Sequence, residues 1–282
     1  MRARSFAYTR PLTLEEALGE VADPSAKLLA GGQSLLPLMK LRLASPEKIV
    51  DLGRIEAMRG IRREGSRIRV GALTAHATLA GNPFLEDALP LLARTAREIG
   101  DMQVRNRGTL GGSLAHGDPS ADLPAATLAL EAEVEVRTAD GTETIPIDDF
   151  FLGPMLTAVP SGGILTSVTF AVPPTGSRSA YAKVPHPASG YAVVGVAVVL
   201  HLAPEGTIDH ARIGVTGLAE TAYRARGAEE SLVGKVPSEE LFRAAAEEAV
   251  GEGSPVGDIY ASAGYRSRLA KVTLRRTLLG LV

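Results

Sequence analysis

Two glycine pairs limit what this chain can fold into: Gly31–Gly32 in "AGGQS" and Gly111–Gly112 in "TLGGS". Each follows an apolar run and stands beside small hydroxyl residues, Ser34 at the first and Thr109 and Ser113 at the second. In a chain with 30 glycines, one such pair reads as a tight turn. Two alike pairs read differently. Consecutive N–H groups in a glycine-permitted conformation form an anion-binding nest, and the missing side chains let a phosphate approach the backbone. Two nests converging from different parts of the chain suit a pyrophosphate, and hence a dinucleotide such as FAD.

Other phosphate-binding patterns are missing. No G-x-G-x-x-G opens a β-α-β unit and no G-x-x-x-x-G-K-[ST] loop occurs, which disfavours a Rossmann domain and a P-loop. No H-E-x-x-H and no G-x-S-x-G elbow appears, so neither a metal site nor an acyl-transfer nucleophile is expected. The chain has no cysteine, which excludes disulfides, Cys-ligated zinc and iron–sulfur clusters held by this chain. Thirty Lys and Arg against 32 Asp and Glu, with 4% aromatic residues and no Trp, argue against nucleic-acid binding. No apolar run reaches the roughly 20 residues of a membrane span, and "MRARSFAYTRPLTLEEA" lacks a signal peptide's apolar core, so a cytoplasmic protein is expected.

Along the 282 residues, "LTLEEALGEVAD" carries a capping box, Thr13 with Glu16, ahead of helically spaced Ala17, Leu18 and Val21. "AKLLAGG" and "EKIVDLG" read as strands flanking a helix or turn at "SLLPLMKLRLA", a β-α-β unit with parallel strands. Residues 61–73 read as a hairpin around Glu64 and Gly65, and residues 74–100 as helices broken at Asn82 and Pro83. The stretch "DMQVRNRGTLGGSLAHGDPSADLP" reads as loop, followed by a helix at "AATLALEA", a strand pair turning at Asp140–Gly141, and a loop near "FFLGPM". Pro173, Pro174 and Gly176 mark a boundary. Beyond it come three strands, "RSAYAKV", "GYAVVGVAVVLHLA" and "TIDHARIGVTGLA", then two helices, "SEELFRAAAEEAV" and "YASAGYRSRLAKVTLRRTLL". The expected units are 1–56, 57–173 and 174–282.

Three segments, "LLAGGQSLLPLMKLRL", "IGDMQVRNRGTLGGSLAHGDPSADLPA" and "YAKVPHPASGYAVVGVAVVL", resemble the FAD-binding medium subunit of molybdenum hydroxylases, with aerobic carbon monoxide dehydrogenase the nearest type. The likeness runs through the whole chain in order. It implies an α+β fold: a two-part FAD-binding domain of the vanillyl-alcohol-oxidase-like (PCMH) type, then a C-terminal antiparallel three-stranded sheet with helices. It implies noncovalent FAD, with molybdopterin and iron–sulfur clusters only on partner subunits. Those partners are a molybdopterin-binding large subunit and an iron–sulfur small subunit in a dimer of heterotrimers, with a quinone, oxygen or NAD as electron acceptor.

By the same resemblance, Leu29, Ala30, Gly31, Gly32, Gln33, Ser34 and Leu35 hold the cofactor together with Thr109, Gly111, Gly112 and Ser113. The family commonly has His at Gln33 and Asn at Ser113. Asp122 matches a contact to the flavin's sugar hydroxyls, with His116 and Asp118 on the same loop; its residue-level alternative is the N-cap of the following helix. Ile99 and Leu165 match apolar positions beside the isoalloxazine, and Tyr191 covers its other face with Lys183 nearby. Arg105 and Arg107 read as solvated or paired, and His76 as structural rather than a covalent tether. Two other readings stay open at this stage: a self-contained FAD oxidoreductase, for which no acid or base is apparent, and an FAD-binding assembly module without turnover.

Overall fold

Three main sheets divide the chain in the computed structural model, which describes residues 3–282. The first contains β1 (Ala7–Thr9), β2 (Ala26–Leu29) and β3 (Lys48–Asp51), all parallel in the order β1-β3-β2. Helix α1 (Leu14–Val21) begins as its capping box demands. Thr13 Oγ1 accepts the Glu16 N–H at 3.2 Å, and the Glu16 carboxylate accepts from the Thr13 N–H. The apolar stretch after the first glycine pair is helix α2 (Leu35–Leu41). Pro37 falls in its first turn, where a missing N–H breaks no intrahelical bond. Strand β1 was not expected. It is short and mostly exposed, so no alternation announces it.

The second sheet is antiparallel, in the order β4-β5-β10-β6-β7. Its strands are β4 (Ile61–Glu64), β5 (Arg67–Gly71), β6 (Glu133–Arg137), β7 (Thr142–Pro146) and β10 (Ile164–Ala171), with a small hairpin of β8 (Phe151–Gly153) and β9 (Leu156–Thr157) beside it. Six helices lie between β5 and β6: α3 (His76–Ala80), α4 (Pro83–Ala88), α5 (Pro90–Arg97), α6 (Met102–Arg107), α7 (Leu110–His116) and α8 (Asp122–Ala129). The stretch expected as loop from Asp101 therefore forms helices α6 and α7, and the second glycine pair lies inside a helix. Caps decide this. Asp101 caps α6 by accepting the Val104 N–H at 2.7 Å, and Thr109 Oγ1 caps α7 by accepting the Gly112 N–H at 3.1 Å, offsetting part of the cost of about 1 kcal/mol per helical glycine.

The third sheet is antiparallel too: β11 (Arg178–Pro185), β12 (Ala192–Leu202), β13 (Ile208–Thr216) and β14 (Tyr223–Arg224). It carries α9 (Arg226–Leu232), α10 (Glu239–Glu252) and α11 (Ala263–Leu279). The three expected strands are present, but a fourth two-residue edge strand and the extra helix α9 are not foreshadowed. Both are short and held by polar contacts outside themselves: Glu229 on α9 accepts from the Ile213 N–H and from the Arg224 guanidinium, each at 2.8 Å.

Two apolar cores meet at β12. Ala197 and Val199 belong to the core shared with the second sheet and α8, whereas Val194, Val196, Val198 and Leu200 belong to the core under α9–α11. Successive strand residues face opposite ways, so a strand buried on both sides reads as the continuous apolar run "AVVGVAVVL". Helix α8 is buried all round, with β12 and β13 on one side and α5 on another. Among the described residues no helix is long and apolar enough to cross a membrane.

Candidate cofactor site

The β2–α2 loop, the α6–α7 junction, the start of α8, the chain from Met155 to Leu165 and the loop before β12 converge on one cavity of about 740 Å³. That is a size typical of cofactor sites. Of the candidates named from sequence, Leu29, Ala30, Gly31, Gly32, Gln33, Ser34, Leu35, Ile99, Thr109, Gly111, Gly112, Ser113, His116, Asp118, Asp122, Leu165 and Tyr191 all line it. Lys183 does not.

The glycines are needed for reasons that only partly match the nest expectation. A Cβ on Gly31 would overlap the Arg107 carbonyl oxygen and lie 2.8 Å from the Gly108 Cα, so the first loop rests directly on the backbone at the end of α6. Gly32 has φ of +75°, the left-handed conformation a nest requires. The N–H groups of Gly31, Gly32, Gln33 and Ser34 reach no acceptor among the described residues. The second pair is different. The Gly111 N–H donates to the Ala72 carbonyl at 2.8 Å, and the Gly112 N–H is taken by Thr109 Oγ1. A Cβ on Gly111 would meet the Ala72 Cβ at 2.5 Å. These glycines permit close packing and leave the cavity floor open, while the first loop presents a run of unspent donors.

Asp122 is the first residue of α8 but makes no capping bond, because its carboxylate turns to β11. It accepts from the Tyr181 hydroxyl at 2.5 Å and pairs with Lys183 Nζ at 3.0 Å, both side chains of the ion pair being less than a tenth exposed. Burial pushes the Asp122 carboxyl upward in pKa, against the pull of Lys183 and Tyr181, and pushes the Tyr181 phenol well up. Lys183 also donates to the carbonyls of Glu98 at 2.6 Å and Gly190 at 3.0 Å. Its ammonium is thus saturated. It joins three stretches of the cavity rim, next to Ile99, at Asp122 and next to Tyr191.

Tyr191 ends a loop in which Gly190 has φ of +73° and the His186 N–H donates to the Tyr191 carbonyl at 2.7 Å. Burial and the carboxylates of Asp118 and Asp122 raise the phenol's pKa, and the nearby Ser34 hydroxyl pulls it down. Residues from the first and third sheets therefore meet across the cavity. Asp118 shapes its own turn by accepting the Ser120 N–H at 2.8 Å, and His116 ends α7. Arg105 is structural: its guanidinium donates to the carbonyls of Arg97, Ile99 and Gly100 beyond α5. Arg107 is exposed and lies outside the cavity lining.

The sequence reading missed Lys27, Gly100, Gly108, Met155 with strand β9 and a third glycine pair, Gly162–Gly163, all of which line the cavity. That third pair was visible as "PSGG". His76 is buried against Gly108, and its Nδ1 has no partner among the described residues. Burial lowers its pKa from 6.5 to about 4, so the folded chain keeps it neutral. Between those values the unfolded chain binds the proton that the folded chain refuses. Acidification through that window is expected to destabilise the fold by up to about 3 kcal/mol. Urea midpoints of wild type and His76→Gln across the window check this: the variant should show the shallower pH dependence, and equal slopes would count against it.

Comparison with known proteins agrees with this architecture. Residues 4–173 match the family described as the FAD binding domain in molybdopterin dehydrogenase, and residues 179–281 match the CO dehydrogenase flavoprotein C-terminal domain. The chain is 40% identical to the carbon monoxide dehydrogenase medium chain of Hydrogenophaga pseudoflava, over 97% of this chain and 96% of that one. It is 38% identical to the nicotine 6-hydroxylase medium subunit of Paenarthrobacter nicotinovorans, over 99% and 98%. A solved carbon monoxide dehydrogenase from Hydrogenophaga pseudoflava superposes with a TM-score of 0.97, covering 100% of this chain and 98% of that one at 40% identity. With both parts of the chain matched and the relatives aligned nearly end to end, the protein belongs to the FAD-binding medium-subunit family of the molybdenum-hydroxylase oxidoreductases.

Proposed function

We propose that this chain is the electron-transfer subunit of a molybdenum hydroxylase, holding FAD noncovalently in the cavity and passing electrons from an iron–sulfur subunit to an external acceptor. The carrying observation is the run of unspent N–H donors from Gly31 to Ser34 in a cavity walled by both apolar and polar side chains. Those donors fit a diphosphate. Ile99, Leu165 and Tyr191 offer apolar and aromatic surface for a flavin ring, and His116 and Asp118 offer partners for sugar hydroxyls. Asp122, committed to Tyr181 and Lys183, fits better as a fixed wall than as a free acceptor.

Bound there, FAD supplies a centre that takes up and releases electrons singly or in pairs. This chain's residues orient it and limit its access to solvent. Gly31 and Gly32 let the loop backbone close on the diphosphate, and Tyr191, pinned through Gly190 and His186, guards one face. Because the chain has no cysteine, iron–sulfur clusters must come from a partner. The partners proposed are that small subunit and a molybdopterin-binding large subunit in a dimer of heterotrimers, with a quinone, oxygen or NAD as acceptor. Substrate choice rests with the large subunit. The expected result is a yellow protein whose flavin is bleached by the complex's substrate only when both partners are present. A purified chain that stays colourless after incubation with FAD would refute the proposal.

A further inference from the structure

The loop 186–191 that carries Tyr191 to the cavity is too short and exposed to hold its shape by packing. Residues 187–189 are exposed and Gly190 is left-handed, so the shape is set by His186. Its N–H donates to the Tyr191 carbonyl at 2.7 Å, its carbonyl accepts the Gly190 N–H at 2.8 Å, and its ring Nδ1 accepts the Ala188 and Ser189 N–H groups at 3.2 Å each. The backbone of Tyr191 therefore follows the His186 ring. Support for that ring comes from a distant part of the chain. Tyr260 lies against it, with ring centroids 3.9 Å apart and planes tilted by 50°.

Tyr260 sits in a turn that is itself fixed. The Asp258 carboxylate accepts the Tyr260 N–H at 2.9 Å and the Ala261 N–H at 2.8 Å, and it pairs with Arg266 at 2.6 Å. Arg266 is buried, and its guanidinium also donates to the carbonyls of Val193 at 2.7 Å and Gly217 at 2.6 Å. One cation thus ties the Tyr260 turn to the start of β12, just beyond Tyr191. Tyr191 is bracketed: Arg266 and β12 fix the chain after it, and Lys183 with His186, backed by Tyr260, fixes the chain before it. Tyr260 is half exposed and belongs to neither apolar core, so replacing it leaves no void in either.

Resting on the reading that FAD lies in the cavity with Tyr191 over one face of its ring, we propose that Tyr260 is a positioning residue, whose ring backs His186 and so holds Tyr191 against the flavin. An aromatic contact of this kind is worth roughly twofold to tenfold in a local equilibrium, enough to decide whether a short surface loop stands closed or swings out. A phenol stacked on a flavin quenches its emission, so the position of Tyr191 can be read optically.

The test measures emission and lifetime per bound flavin in full-length chain loaded with FAD, as wild type, Tyr260→Ala, Tyr260→Phe, Tyr191→Leu and the double variant Tyr260→Ala/Tyr191→Leu. Tyr260→Ala is expected to emit at least about twofold more than wild type, with a longer-lived component, as the population with Tyr191 swung away grows. Tyr260→Phe keeps the ring and stays near wild type. The double variant should emit as Tyr191→Leu does, because the two residues act through one chain of contacts. Wild-type emission in Tyr260→Ala overturns the inference, and so does a Tyr260→Phe as bright as Tyr260→Ala or a double variant brighter than Tyr191→Leu. Tyr191→Leu no brighter than wild type overturns it too, since Tyr191 would then not lie on the flavin. Wild-type chain that binds no FAD at all instead defeats the proposed function itself, so the failures are distinguishable.

Discussion

Gly31→Val is expected to yield a folded chain that carries no measurable FAD, with affinity at least about a hundredfold below wild type. The reason is local. Any Cβ at this position overlaps the Arg107 carbonyl oxygen and crowds Gly108, and both are backbone, so no rotamer change relieves the clash. The loop must lift away from the end of α6, carrying the N–H groups of Gly31 to Ser34 out of register with the rest of the cavity. The cores under both larger sheets do not depend on this contact, so the secondary structure should survive. Flavin-to-protein absorbance after incubation with FAD reads the loss, and far-UV circular dichroism reads the fold. Gly31→Val that loads FAD normally would show that the loop is not where the cofactor is held.

Lys183→Met is expected to lose about 3–5 kcal/mol of stability, the cost of leaving one member of a buried ion pair alone. Asp122 would keep the Tyr181 hydroxyl but lose its only cationic partner, and the carbonyls of Glu98 and Gly190 would lose a donor. The double variant Lys183→Met/Asp122→Leu should be more stable than Lys183→Met, because no stranded charge remains. The deficit should also shrink in acid. Removal of the ammonium raises the already elevated Asp122 pKa further above its unfolded value, so the variant is most stable where Asp122 is protonated and loses stability as pH rises through that pKa. Urea unfolding of the three proteins at several pH values measures this. A single variant within about 0.5 kcal/mol of wild type would mean that the pair carries little of the joint between α8 and β11.

Local rules were readable wherever the deciding contacts lie close in sequence. Thr13 and Glu16 announce α1, Gly65 turns the β4–β5 hairpin, and the unbroken apolar run of β12 marks a strand covered on both faces. Elements settled by distant partners were not readable. Strand β14 exists because Tyr223 and Arg224 pair with Val215 and Gly214, and a two-residue strand has no period to detect. Helix α7 was hidden by the very glycines that drew notice, whose cost the Thr109 cap offsets in part, and α6 is a short helix started by the Asp101 cap. At the site, the motifs indicated which residues gather but not how. Lys183 meets Glu98 and Asp122 across 85 and 61 residues of chain, a relation that no spacing encodes.

The doubly buried strand β12 has a cost that is paid before the native state forms. From Ala192 to Leu200 it contains neither a charge nor a proline, and it is rich in β-branched residues, the composition of a segment prone to pair with copies of itself. One of its covers, α11, follows it in chain order, so β12 leaves the ribosome before that cover exists. Until then, Pro185 and Pro187 on one side and Pro204 and Glu205 on the other are the nearest interruptions to aggregation. Truncations that remove α11 should therefore precipitate rather than accumulate as soluble fragments, and slower synthesis at lower temperature should raise the soluble yield of the full chain.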